Sequence, residues 1–347
     1  MRTSRSSHGR IIRPLEPAAA HSQTINTMAV IRSGMVLTGG QDGLACLTNT
    51  DNGEIHQIWN NKTEINKLCY RHFKAKHSLI TGNKDKTLKL WMFNGENMDE
   101  PVMVYRGHDF QVTGVVSLDE NHFMSGSRDC TVRLWDVERD KHVSRECMNR
   151  NIITHMTYNS AKNLVAQTSE DRSMKLWDPR TMSVAIEFSR KANIQMYCEF
   201  GSEDRIFSCS NGFNHTGCEI TSYDTRFPRN PREIRGHEGN VTSLAVVQMD
   251  GAKKMLASVA ADKHIRLWRI EENGEDVLKP LWNEEVPFEA DNLQVCSYSD
   301  GHIIVSGGKG RLIHYQAKLA AQRVILDVQL MQKPKSMTQS SSSHVLR

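Results

Sequence analysis

A histidine, a serine and an aspartate stand within 22 residues at His108, Ser125 and Asp129, and recur at His237, Ser258 and Asp262. Ser, His and Asp together are the parts of a hydrolase triad, in which the imidazole takes the proton of an attacking hydroxyl. Each set here ends on a tryptophan, Trp135 and Trp268. Catalysis needs one site, whereas a set repeated at equivalent places is architecture, so no catalytic residue is assigned. A buried indole N–H needs an acceptor, which a serine hydroxyl supplies; the hydroxyl needs an imidazole, and the imidazole N–H a carboxylate. Read this way, His108–Ser125–Asp129–Trp135 and His237–Ser258–Asp262–Trp268 are structural tetrads.

Other reactive groupings are weaker. Cys198, Cys209, His215 and Cys218 gather around the stretch CSNGFNHTGC. The Cys-x5-His-x2-Cys spacing does not follow zinc-site patterns, so no metal is expected. YRHFKAKHS, from Tyr70, reads as a basic solvated loop. No glycine-rich phosphate cradle opens a helix, so no nucleotide or other cofactor is expected.

The elements that must carry these residues repeat. A turn-plus-strand phrase recurs as TGGQDGLACLTN, TGNKDKTLKLWMF, SGSRDCTVRLWDV, QTSEDRSMKLWDP and SVAADKHIRLWRI. Its aspartates, Asp42, Asp85, Asp129, Asp171 and Asp262, are 43, 44, 42 and 91 residues apart, the last gap being two periods. A degenerate copy ending in Tyr223-Asp224 fills that gap, and HIIVSGGKGRLIHYQA begins a seventh. In TVRLWDV, Val132 and Leu134 lie on one side and Trp135 and Val137 on the other, so both faces want burial. Short strands broken by turns, about four to each period of about 44 residues, describe an all-β, seven-bladed β-propeller. Its expected limits are residues 21–330, between a basic tail at 1–20 and a Ser-rich tail at 331–347, both disordered. The outer strand of the seventh unit is open between residues 322–329 and the N-terminal segment 10–14.

Gly107-His108, Gly236-His237, Trp135-Asp136 and Trp177-Asp178 resemble the signature pairs of WD40 repeats. The resemblance covers nearly all the chain outside the tails. It implies a seven-bladed WD40 propeller whose blades are locked by the tetrads. Unit two has Asn60-Asn61, and unit four Asn149-Arg150, where Gly-His is expected. Units one, five and seven lack the tryptophan.

Composition narrows the function classes. The 347 residues are 38 % hydrophobic and 24 % charged, and no apolar run approaches the length of a spanning helix. No secretory signal is read at the N-terminus. The eight cysteines show no CxxC pair, which suits reduced thiols in the cytoplasm. Net charge is +4, but the two tails supply +3 each, leaving a nearly neutral body and no case for nucleic acid. A monomeric, non-enzymatic protein-binding platform is the resulting expectation.

On such a ring, the Asp turns and the Gly-His loops share one face. Gln41, Asn61, Lys84, Asp109, Arg128, Arg150, Glu170 and Glu238 are read as exposed there, mixing charge signs as a protein partner would favour. Units four and five, with the long turn CSNGFNHTGCE, further resemble WD40-repeat proteins of cilium assembly. That resemblance implies work at the ciliary base and cilium with the intraflagellar transport machinery, the BBSome or small-GTPase regulators. The alternative is a substrate receptor of a cullin-RING ubiquitin ligase. It rests on Trp177-Asp178-Pro179-Arg180, a W-D-x-R pattern, and its echo ending in Arg226.

Overall fold

Every unit of the repeat folds as one antiparallel four-stranded sheet, and the seven sheets are blades around a central channel. The computed structural model describes residues 19–73, 76–148, 150–212, 216–249, 254–271, 277–287, 292–320 and 323–332. The blades span residues 25–60, 65–105, 112–147, 153–187, 194–235, 241–285 and 294–331. Among the described residues the only helical element is a 3-10 turn at Gly308–Gly310, and no helix is long and apolar enough to cross a membrane. The tails fall largely outside the described residues.

The hydrophobic cores lie between blades, not within them. Ile80, Leu88 and Leu90 of blade two pack on Val112, Val115 and Phe123 of blade three. Met124 and Val132 of blade three pack on Ile153 and Met156 of blade four. A strand apolar on both sides is thereby buried on both sides: Val132 is 1 % exposed and Trp135 is 0 % exposed. Close approach needs the glycine of the repeated phrase. A Cβ on Gly126 would stand 2.7 Å from Ile153 Cγ2 and Met156 Sδ of the next blade. Gly236 serves within its own blade, where a Cβ would stand 2.3 Å from Trp268 Cη2.

The last blade is closed by the C-terminal strand Arg323–Met331, paired antiparallel with Leu312–Ala320. This settles the open choice for that strand in favour of the segment around 322–329. Among the described residues no strand crosses from blade one into blade seven, and side chains bridge the junction. Thr50 Oγ1 lies 3.1 Å from Tyr298 Oη, and His314 Nδ1 donates to the Thr50 carbonyl at 2.9 Å. The apolar core at this junction has five buried residues, against nine between blades one and two.

A second ring lies at the top of the inner strands. In blades one to six one residue near the start of that strand, the second or in blade five the third, is bulged out of register with its neighbour: Asn26, Asn66, Thr113, Thr154, Met196 and Thr242. A bulge re-aims a side chain. Asn26 donates to the Ile65 carbonyl (3.0 Å), Asn66 to Val112 (3.0 Å), Thr113 to Ile153 (2.6 Å), Thr154 to Gln195 (2.6 Å) and Thr242 to Leu293 (2.5 Å). Asn292 completes the circle onto Asn26 at 3.2 Å. Met196 cannot donate. There the thiol of Cys209 reaches the Val241 carbonyl at 3.2 Å instead.

Candidate functional site

The linkers that open each blade and the turns between its second and third strands lie on one face, and the network beneath them fixes both. In blade three the Trp135 indole donates to Ser125 Oγ at 2.8 Å. Ser125 Oγ and His108 Nε2 are 2.7 Å apart, and His108 Nδ1 lies 2.8 Å from Asp129 Oδ2. Because Ser125 Oγ already accepts from the indole, its proton goes to Nε2, which places the imidazole proton on Nδ1. Blade six repeats this with Trp268, Ser258, His237 and Asp262 at 2.9, 2.7 and 2.9 Å. The Asp109 and Glu238 backbone amides close each set onto its aspartate at 3.0 Å.

Electrostatics agree with that assignment. Burial lowers the His108 and His237 pKa values from 6.5 and outweighs the pull of Asp129 and Asp262. Burial would raise the two carboxyls, but the hydrogen bond and charge of the histidines prevail, and Asp262 falls to about 2. Ser125 and Ser258 are 0 % exposed, so neither hydroxyl can meet a substrate.

Blade one has a third set. His21 Nε2 lies 2.7 Å from Thr38 Oγ1, and Nδ1 lies 3.0 Å from Asp42 Oδ1. His21 precedes its hydroxyl and carboxylate by 17 and 21 residues, as His108 does, so spacing alone could have found it. Ala20 in place of glycine hid it. Thr48 occupies the tryptophan's place, and its hydroxyl is buried without a partner among the described residues.

Blades two and four use amides. Asn61 accepts from Thr81 Oγ1 at 3.2 Å and donates to Asn83 at 2.9 Å, while Trp91 donates to Thr81 at 3.3 Å. Asn61 is therefore 1 % exposed, a network residue and not the surface residue expected of it. In blade four Asn151, beyond the expected Asn149-Arg150 pair, exchanges hydrogen bonds with Gln167, which accepts from Trp177 at 2.8 Å. Lys175 is buried against Asp171 at 3.4 Å and also donates to Ser173.

Gln41, Lys84, Asp109, Arg128, Arg150 and Glu238 are exposed, and Glu170 is half-buried. Much of their charge is paired: Arg128 with Glu170 at 2.7 Å and Lys84 with Glu64 at 2.7 Å. Sequence reasoning missed Phe110, which is 60 % exposed beside Asp109, with Lys86 Nζ 5.9 Å above its ring. At the centre of this face the channel opens as a cup of about 240 Å³ walled by the bulged residues and Asn292. Its floor is Lys67, whose Nζ lies 2.6 Å from His155 Nε2 and 4.8 Å from the Tyr197 ring centre. His155 and Tyr197 stack at 3.6 Å.

On the opposite face, Arg180 closes a fork on Asp178 (3.0 and 2.7 Å) and Arg226 on Asp224 (2.9 and 2.6 Å). Both arginines remain exposed. Of the basic stretch from Tyr70, residues 70–73 and 76–78 lie in two paired strands and not in a loop, and Arg71 is buried, donating to the Asp119 and Glu120 carbonyls. Cys198, Cys209 and Cys218 are buried free thiols, and His215 lies outside the described residues. No cluster of three or more His, Cys, Asp or Glu suited to a metal occurs among the described residues.

Seven four-stranded blades, three of them pinned by buried His–hydroxyl–Asp chains, define a β-propeller of the WD40 type. The WD40 family (WD domain, G-beta repeat) matches residues 99–136 and 229–269, the third strand and tetrad regions of blades three and six. Over those residues the chain is similar to WD40 repeats. The ribosome biogenesis protein WDR12 homolog of Ixodes scapularis is 24 % identical over 270 residues, 63 % of this chain and 60 % of that one. WD repeat-containing protein 37 of Mus musculus is 24 % identical over 205 residues, 56 % of this chain and 41 % of that one. The chain thus spans 41–60 % of the length of these curated relatives. The crystal structure of the WD40 β-propeller domain of Doa1 superposes with a TM-score of 0.69 at 19 % identity, covering 89 % of this chain and 98 % of that one.

Proposed function

We propose that this protein is a non-enzymatic scaffold that docks a protein partner on the face of the Asp turns. The observation that carries the reading is an exposed aromatic, Phe110, set among mixed and largely self-paired charges around the channel mouth. Aromatic anchors in a polar surround are the usual centre of a protein interface. The buried tetrad hydroxyls argue for the same conclusion, since the residues that look catalytic are inaccessible.

The process served is a proposal from likeness. Units four and five, with the long turn between Cys209 and Cys218, resemble WD repeat-containing protein 31. That favours cilium assembly at the ciliary base, with intraflagellar transport, BBSome or small-GTPase regulators as partners. The likeness to a ribosome biogenesis protein favours ribosome assembly instead. Proximity labelling with the full chain in ciliated cells separates them. Transport-train, BBSome and GTPase regulators among the labelled proteins support the ciliary reading, and pre-ribosomal proteins alone overturn it. The ligase-receptor reading rests on Arg180 and Arg226, and co-purification of a ligase adaptor that survives Arg180→Glu removes that support.

A further inference from the structure

The channel cup is lined by a lysine, Lys67, that makes no direct ion pair among the described residues. Lys67 extends from blade two to meet His155 of blade four and Tyr197 of blade five. An ammonium has three N–H donors. His155 Nε2 takes one, and the Tyr197 face receives the charge from the side. No carboxylate of the described residues lies within ion-pairing distance of it. Glu199, whose charge Lys67 feels, stands two residues beyond Tyr197 on the same strand and makes no ion pair with it. A cation enclosed by protein costs free energy until an anion meets it.

The walls restrict what can come. Asn66, Thr113 and Thr154 spend their donors on the neighbouring blades, so they form a rigid polar collar. The collar is interrupted at Met196, 36 % exposed on the wall beside Val241. A space of about 240 Å³ suits one inserted side chain rather than a folded ligand.

We propose that this cup is a binding site for a side-chain oxyanion of a protein partner: an acidic residue that enters past Met196 and ends on Lys67. The proposal rests on the docking face proposed above and names the chemistry at its centre. A glutamate or aspartate carboxylate and a phosphorylated serine share that chemistry. The apolar part of the entering side chain lies against Met196, and its oxygens take the free N–H donors of Lys67.

The test is selection of random twelve-residue peptides on the purified full chain, followed by measured affinities of the selected peptides. The expected result is one fixed acidic position. Changing that residue to Gln, or Lys67→Met in the protein, then weakens binding at least tenfold. Phosphoserine at that position binding more tightly than glutamate assigns the site to phosphorylated partners; the reverse assigns it to carboxylates. Selected peptides with no fixed acidic position, or unchanged affinity in Lys67→Met, overturn the proposal. If those peptides lose affinity on Arg128→Glu, the docking face stands without the cup; if no peptide is selected, both fall. Lys67→Gln and the peptide-side change keep the test sound should Lys67→Met fail to fold.

Discussion

Ser125 is the hinge of its tetrad, because one hydroxyl accepts from an indole and donates to an imidazole. Ser125→Ala leaves both groups buried and unmatched, and is expected to cost about 1–3 kcal/mol for such an orphaned group, read as a lower melting temperature. Thr38→Ala should cost less, since no tryptophan donates to Thr38 and the losses are the His21 contact and a long bond to the Cys46 carbonyl. The histidines also set a pH dependence. His108, His237 and His155 all have folded-state pKa values below 6.5, mainly through burial. The unfolded chain therefore binds more protons below that value, so their contribution is complete above about pH 6.5 and is lost as the pH falls. Each adds at most about 1.4 kcal/mol per pH unit to the slope. The depressed Asp129 and Asp262 add a second loss below about pH 3.8, their ordinary value. Melting temperatures between pH 7.5 and 4.5 should fall on acidification, and a flat profile would remove the buried-neutral assignment.

At the scale of the strand, the bulge belt replaces hydrogen bonds that separate sheets cannot make. Thr113→Val keeps the shape but removes the donor to the Ile153 carbonyl, and about 1 kcal/mol of stability should go with it. Met196→Leu, at the position that makes no such bond, should stay within about 0.5 kcal/mol of the parent. Denaturant unfolding of the pair checks both. The strands themselves were legible, because a phrase apolar on both sides and punctuated by Asp turns fits only a sheet between sheets. The two tetrads were legible from residue type and spacing. The belt was not, because its residues differ in type and a bulge is a matter of register. Its trace is nonetheless present: Ile25-Asn26, Ile65-Asn66, Val112-Thr113, Ile153-Thr154 and Val241-Thr242 each place a short donor after an apolar residue. Asn61 was misplaced for a related reason, since an amide standing in for histidine reads as surface polarity until its partners Thr81 and Asn83 are known.

Across the whole ring, the junction of blades seven and one differs from the rest. Its core is small, and its cohesion depends on Thr50, Tyr298 and His314. Hydrogen exchange should show it: amides of Ile25–Arg32 and Gln294–Tyr298 are expected to exchange about tenfold faster than those of Val112–Ser117. Equal protection around the ring would mean that the junction is as strong as the others. Self-contained blades have a further consequence. A ring that parts at this junction loses no sheet; it becomes an arc with a finished blade at each end and a different apolar flank on each. Those flanks fit each other and not themselves, so two opened arcs can join only head to tail. The same geometry that lets one chain close on itself would let open chains add end to end.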